Sequence, residues 1–174
     1  MIMKKVILIL AMILPMVCVH AQIHEEVDDF TGEKKAYTER VQIVKGLIYA
    51  FSVEFVQEGD STLLRCYLRA KRNFTLDGGE SNLYFKLSDG SVMNLVCKDD
   101  EKSSFRGKGI FKRNADFDCG LTKEDVRRLA DTKATKFRLE LNIGNLEQIE
   151  YEINKRHSKQ LQEQASIFLE HIGK

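Results

Sequence analysis

Strict alternation of apolar and polar side chains, repeated through most of the chain, limits its fold more than any other feature. It is cleanest in Leu83–Cys97, where Leu83, Phe85 and Leu87 point to one side of an extended strand and Tyr84 and Lys86 to the other. A two-residue Asp89-Gly90 loop would set Leu87 against Val92 and Phe85 against Asn94, pairing core with polar. A three-residue loop, Ser88-Asp89-Gly90 with Gly90 left-handed in a bulge, pairs Leu87 with Ser91, Phe85 with Met93 and Leu83 with Leu95. The second register gathers the bulky residues on one face and is the expected one.

The same period recurs on either side. Glu33–Lys45 alternates through Tyr37, Val41 and Ile43 and reads as a partly exposed first strand, ended by Gly46. Tyr49, Phe51, Val53 and Phe55 share one face of a second strand; Leu64, Cys66 and Leu68 share one face of a third. A turn centred on Glu58-Gly59 brings Val53 opposite Leu64, Phe51 opposite Cys66 and Tyr49 opposite Leu68. Phe105–Phe117 reads as another strand, with Gly107 and Gly109 marking a bulge or close backbone approach. Thr135–Ile143 and Leu146–Ile153 pair across Gly144-Asn145.

Two stretches break the pattern. In Leu121–Asp131, Thr122 can cap the Asp125 amide, Asp125 can return the bond and Leu121 can staple onto Val126, so a short helix starts there. From about Asn154 to Ile172, Leu161, Ala165, Phe168, Leu169 and Ile172 form one apolar stripe at helical spacing, and Gly173 ends it. About eight strands joined mainly by short turns imply a mainly β (α+β) fold with an antiparallel sheet. Inward faces this apolar need a second layer, so the sheet curls as a barrel or folds as a sandwich with the C-terminal helix packed on it.

The first 21 residues read as a signal peptide: Lys4 and Lys5, an apolar run from Val6 to Leu14, and Val19-His20-Ala21 before a cut at Gln22. The apolar run is too short for a membrane span, so none is expected after cleavage. Cys18 raises lipidation as an alternative, against which stands Val17 where a small residue would be expected. Residues 22–32 are polar and acidic and read as an extended lead-in with Phe30 as anchor; residues 33–174 form a single β-rich domain. Its length lets it bury about 70% of its unfolded surface without staples. The whole chain carries 27 Lys+Arg and 26 Asp+Glu. Loss of Lys4 and Lys5 leaves it nearly neutral, which excludes general nucleic-acid binding.

Cys66, Cys97 and Cys119 remain after the signal, an odd number that leaves one unpaired in an oxidising compartment. Cys66 and Cys97 both fall on inward strand faces. They read as small buried hydrophobes, or as a disulfide if their strands lie side by side.

Little else carries chemistry. His24 lies in the lead-in, while His157 and His171 lie on the last helix about 21 Å apart, too far to share a metal. Asp28-Asp29 and Asp99-Asp100-Glu101 lack the ligand alternation of a calcium loop. Gly107-x-Gly109 lacks the third glycine and following helix of a phosphate cradle, so no metal and no cofactor is expected. No Gly-x-Ser-x-Gly elbow occurs, and no catalytic residue stands out. The outer face of the third strand, Arg65, Tyr67 and Arg69 followed by Lys71 and Arg72, is the candidate ligand-binding surface. Cation and aromatic side chains at two-residue spacing suit an anionic or sugar ligand. The plainer account pairs them against acids of neighbouring strands such as Glu54.

The export signal, Asp28-Asp-Phe-Thr-Gly32, the Phe85-Lys-Leu-Ser-Asp-Gly90 hairpin and the capped helix near the end together resemble uncharacterised small secreted proteins of Bacteroidetes. That resemblance implies export and brings no activity with it; it also marks Asp60-Ser61-Thr62 as similar to an O-glycosylation acceptor of that group. The expectation is an exported, non-enzymatic binding or interaction module of the periplasm or cell surface. Its partner would be an unassigned ligand or envelope protein, and its oligomeric state is left open. A hydrolase of envelope or dietary polymer, with carboxylates meeting in a cleft, is the alternative. An accessory subunit pairing through its edge strand (33–45) is a third reading.

Overall fold

The computed structural model describes residues 23–71, 80–98, 113–141 and 147–173. The expected signal peptide, Cys18, Arg72, Asp99-Asp100-Glu101, Gly107, Gly109 and the expected turn at Gly144-Asn145 lie outside them. Ten strands form one antiparallel sheet among the described residues: β1 (His24–Val27), β2 (Lys34–Tyr37), β3 (Val41–Lys45), β4 (Tyr49–Glu58), β5 (Ser61–Ala70), β6 (Glu80–Leu87), β7 (Val92–Lys98), β8 (Arg113–Gly120), β9 (Ala134–Leu141) and β10 (Glu147–Glu152). Helix α1 (Lys123–Asp131) precedes β9, and α2 (Lys155–Ile172) ends the fold. The order β1-β2-β4-β5-β8-β7-β6-β9-β10, with β3 also on β4, leaves the sheet open. It is a curled sheet and not a closed barrel.

Period two carries directly into packing. Phe51, Val53, Phe55, Leu64, Cys66, Leu68, Leu83, Phe85, Met93, Leu95 and Phe137 are all buried on the inner face. Phe51 of β4 stacks on Phe137 of β9 with ring centroids 4.9 Å apart, although four strands lie between them along the sheet order. Only a sheet rolled onto itself brings those strands face to face. Phe137 in turn meets Tyr151 of β10 at 6.2 Å. The Tyr151 hydroxyl lies against the turn at Gly46, where an added Cβ would sit 3.2 Å from the Tyr49 carbonyl. That close approach is what a glycine there permits.

The β6–β7 hairpin takes the expected register: Phe85 faces Met93, Leu83 faces Leu95, and the Leu87 amide donates to the Ser91 carbonyl at 2.9 Å. Gly90 sits at φ 88°. The β4–β5 hairpin differs from expectation by two residues. Its loop is Gly59-Asp60, so Val53 faces Cys66, Phe51 faces Leu68 and Tyr49 faces Ala70. Gly59 adopts φ 55°, which lets the chain reverse in two residues.

Two corrections concern the N-terminal part. The lead-in is partly a paired strand, β1 on β2, and Phe30 is fully exposed at its turn instead of anchored. Asp28 Oδ1 accepts from the Phe30 and Thr31 amides and fixes that turn. The first strand is two strands, β2 and β3, successive along one edge of β4. At the break, buried Thr38 donates its amide to the Phe55 carbonyl and accepts the Phe55 amide on Oγ1, both at 3.0 Å. A hydroxyl thus replaces a strand neighbour and leaves no Phe55 backbone group orphaned.

Both helices follow the sequence signals. Thr122 and Asp125 form a reciprocal capping box on α1, and Asn154 caps α2 through the His157 amide. Leu161, Ala165 and Phe168 of α2 are buried, with Phe168 stacked on Phe55 at 5.5 Å. Gln162 Nε2 donates to the Ala130 carbonyl at the end of α1, tying the helices together. No helix among the described residues is long and apolar enough to cross a membrane.

Phe51→Ala removes the ring between β4 and β9, a fully buried contact for which truncation costs about 3–5 kcal/mol. Urea unfolding should show that loss. A change under about 1 kcal/mol would mean the two strands do not meet.

Candidate functional site

The outer face of β4, β5 and β8 is a grid set by register. Glu54, Arg65 and Asp118 form one row across the strands, Ser52, Tyr67 and Asp116 the next, and Ala50, Arg69 and Asn114 the third. These positions face outward because their sequence neighbours fill the core.

Arg65 lies 2.9 Å from each Asp118 oxygen through Nε and Nη2, a bidentate pair, and Nη2 also reaches Glu58 Oε1 at 3.0 Å. The hydrogen bonds to Asp118 hold the guanidinium well above its usual range, against the opposing effect of burial. Lys35 meets the same Glu58 oxygen at 3.0 Å. Burial alone would raise the Glu58 carboxyl, but the bonds from Lys35 and Arg65 prevail and hold it below its usual value. Arg65 is therefore neutralised by acids of its own sheet, which are Asp118 and Glu58 and not Glu54.

Glu54 serves Tyr67 instead. The Tyr67 hydroxyl donates a hydrogen bond to Glu54 Oε1, and burial followed by that bond pushes the phenol well above its usual range. The Arg40 guanidinium lies 3.3 Å over the Tyr67 ring centre and 3.6 Å from Glu54 Oε2. The ring face is thereby covered. Asp116, opposite Tyr67, is exposed, yet partial desolvation by its surroundings raises its carboxyl despite Arg40, Arg69 and Arg65 nearby.

Of the three residues singled out in the sequence, Arg65 and Tyr67 are engaged within the sheet, while Arg69 is exposed and makes no ion pair with a described acid. Two depressions flank Tyr67. One, of about 460 Å³, is lined by Arg65, Tyr67, Lys98, Asp116, Phe117 and Asp118. The other, of about 250 Å³, is lined by Arg40, Gln42, Ala50, Ser52, Tyr67 and Arg69. In the second, two guanidinium-bearing side chains face a lining that includes the small Ala50 and Ser52. Arg40 escaped the sequence reading because it lies in the break between β2 and β3, where no periodicity marks a face. Asp116 and Asp118 had a usable signal, alternation with Phe117 and Cys119.

The cysteines pair differently from expectation. The disulfide joins Cys97 to Cys119, directly opposite each other on β7 and β8, and not Cys66 to Cys97. β8 lies between β5 and β7, so Cys66 and Cys97 are not neighbours. Cys66 is a buried free thiol. The histidines are dispersed: His24 stacks on Tyr37 at 5.3 Å, His157 Nδ1 lies 3.3 Å from the Ile43 carbonyl, and His171 lies 3.8 Å from Glu25. No group of three His, Cys, Asp or Glu among the described residues is arranged to hold a metal ion.

Glu58 and Asp116 should respond to pH with opposite sign. Glu58, held low, contributes stability above the unfolded carboxylate range that is lost as pH falls through its folded value. Asp116, held high, favours folding most below the unfolded value and loses that advantage as pH rises. Glu58→Gln should destabilise at neutral pH and Asp116→Asn should stabilise, both differences shrinking in acid. Urea titrations at neutral and acid pH check this, and equal signs would refute it.

Comparisons with protein-family models, with curated proteins and with solved structures return no match for this chain.

Proposed function

We propose that this chain is an exported, non-enzymatic binding module of the cell envelope that seats an anionic group on the outer face of β4 and β5. The observation that carries the reading is the Arg40–Arg69 depression: Arg69, without an ion pair to a described acid, and Arg40, which also meets Glu54 at 3.6 Å, line one shallow, small-floored surface. Guanidinium groups suit carboxylate, sulfate or phosphate, which they can bind through two parallel hydrogen bonds. The rigid sheet beneath supports the geometry. Its inner face is filled by aromatic side chains, which leaves the outer surface as the place to bind. The resemblance to secreted Bacteroidetes proteins and the N-terminal signal support export.

One observation favours a hydrolase instead. Asp116, with its raised carboxyl, and Asp118 share the same strand face beside the 460 Å³ depression. A carboxyl raised above its ordinary value next to one that is paired is an arrangement that suits acid catalysis. Turnover of an envelope polysaccharide that Asp116→Asn abolishes would support this second reading.

Calorimetry with inorganic phosphate, sulfate, glucuronate and a sulfated oligosaccharide tests the first. Arg40→Ala and Arg69→Ala should each weaken binding about tenfold, the loss of about one charge-assisted contact. Arg65→Ala should act chiefly on stability. Binding unchanged in both Arg40→Ala and Arg69→Ala across the panel would dispose of the proposal.

A further inference from the structure

One large apolar side chain contributes nothing to its own core. Phe30 stands fully in water at the tip of the β1–β2 hairpin, with Val27 of β1 57% exposed. Hydrogen bonds hold that tip in one shape. The Asp28 amide donates to the Glu33 carbonyl at 2.9 Å, the Gly32 amide donates to the Asp28 carbonyl at 2.8 Å, and Asp28 Oδ1 accepts from the Phe30 and Thr31 amides. Gly32 closes the turn at φ 72°. An aromatic ring fixed in this way suits an anchor, because much of its ordering cost is met before it binds. Asp29 and Glu33 in the same turn are exposed and make no ion pair with a described residue. The tip is apolar at its point and negative around it.

A complement lies on the outer face of β6, β9 and β10. A depression of about 240 Å³ has Tyr84 and Val92 in its apolar lining and Lys86, Lys136 and Arg138 as its cations. A cavity of roughly 150 Å³ holds a benzene ring, so a phenyl side chain has room here. Register sets Lys86 directly opposite Lys136, a like-charge pair that costs stability. Glu150 lies 2.8 Å from Lys136 and 2.8 Å from Arg138, while Lys86 makes no ion pair with a described acid. One ammonium is left uncompensated beside an apolar hollow.

We propose that the Phe30 tip of one copy seats in the Tyr84–Val92 depression of a second copy, with Asp29 or Glu33 meeting Lys86, so that the chain assembles head to tail. Phe30 is fully exposed in its own chain, so its own depression does not hold it. The two surfaces differ, and each bound copy still offers a free tip or a free depression. Association therefore continues into a ring or a filament and does not stop at a twofold dimer. A contact with one aromatic anchor is small, and small contacts are weak and transient. Neither surface includes Arg40 or Arg69, so failure of this assembly and failure of anion binding are read separately.

Sedimentation equilibrium of the purified protein over rising concentration reads the assembly. The wild type should gain average mass with concentration and pass beyond the dimer. Phe30→Ala, at a side chain outside the core, should keep the wild-type circular dichroism and weaken association at least about tenfold. Lys86→Glu should do the same. An equimolar mixture of the two variants restores one sound interface, the Phe30 tip of the Lys86→Glu chain in the unaltered depression of the Phe30→Ala chain. It should form dimers and nothing larger. A wild type that stays monomeric at every concentration overturns the proposal, as does association that Phe30→Ala leaves unchanged or a mixture that stays monomeric. A monomeric wild type that co-sediments with phosphatidylcholine vesicles through Phe30 would overturn it too, and give the tip to a membrane.

Discussion

One long antiparallel sheet with a single oily face cannot remain flat in water. Burial of apolar area is worth roughly 25 cal/mol per Å², and the inner face here holds Phe51, Phe55, Phe85, Phe117 and Phe137 together with a row of leucines. Right-handed twist lets the sheet roll, and rolling sets β4 against β9 through Phe51 and Phe137. What the roll leaves uncovered, α1 and α2 cover: Phe168 meets Phe55, and Val126 and Leu129 join the same core. Other features of the molecule follow from that requirement. Thr38 satisfies both Phe55 backbone groups because the edge strand beside β4 is interrupted, and Gly46 suits the tight β3–β4 turn, where an added Cβ would sit 3.2 Å from the Tyr49 carbonyl.

The outer face is the consequence of the same alternation. With each inward residue committed to the core, its neighbours must stand in water, and register then decides which charges meet. Arg65 finds Asp118 because β5 and β8 are adjacent, which also places Asp116 opposite Tyr67. Ion pairs this exposed contribute modestly to stability, about 0–1 kcal/mol for a typical surface pair. Their effect here is to remove Arg65 from the charge open to a ligand and leave Arg69 as the cation without an ion pair to a described acid, with Arg40, shared with Glu54 and Tyr67, beside it. The cysteines, on the inner side of these same strands, are brought together by that adjacency too.

Local rules were readable and long-range ones were not. The β6–β7 register could be read because its loop length and Gly90 jointly admit one pairing that keeps bulky residues together. In β4–β5 both faces were assigned correctly, yet a slip of two residues preserves every inward side chain, so alternation alone could not detect it. The cap at Thr122 was legible because a cap is decided within a few residues, and the start of the last helix was placed near Asn154, which caps it. Strand order was not legible: that β8 would come between β5 and β7 fixes the Cys97–Cys119 bond, and no local pattern states it. For the same reason Glu54 could be named as an acid for the outer face of β5, and it does hold Tyr67, but Asp118 as the bidentate partner of Arg65 could not. Arg40 reaches Tyr67 only because the chain steps between two strands at Thr38.

Rolling of the sheet is the claim from which the core, the helical cover and the outer grid all derive. Aromatic nuclear Overhauser spectroscopy on the folded protein, with Phe51 and Phe137 selectively labelled, reports it most directly. Ring centroids 4.9 Å apart predict strong cross-peaks between the two side chains. If Phe51 gives cross-peaks to its ladder neighbour Leu68 but none to Phe137, the sheet does not close on itself and the account fails.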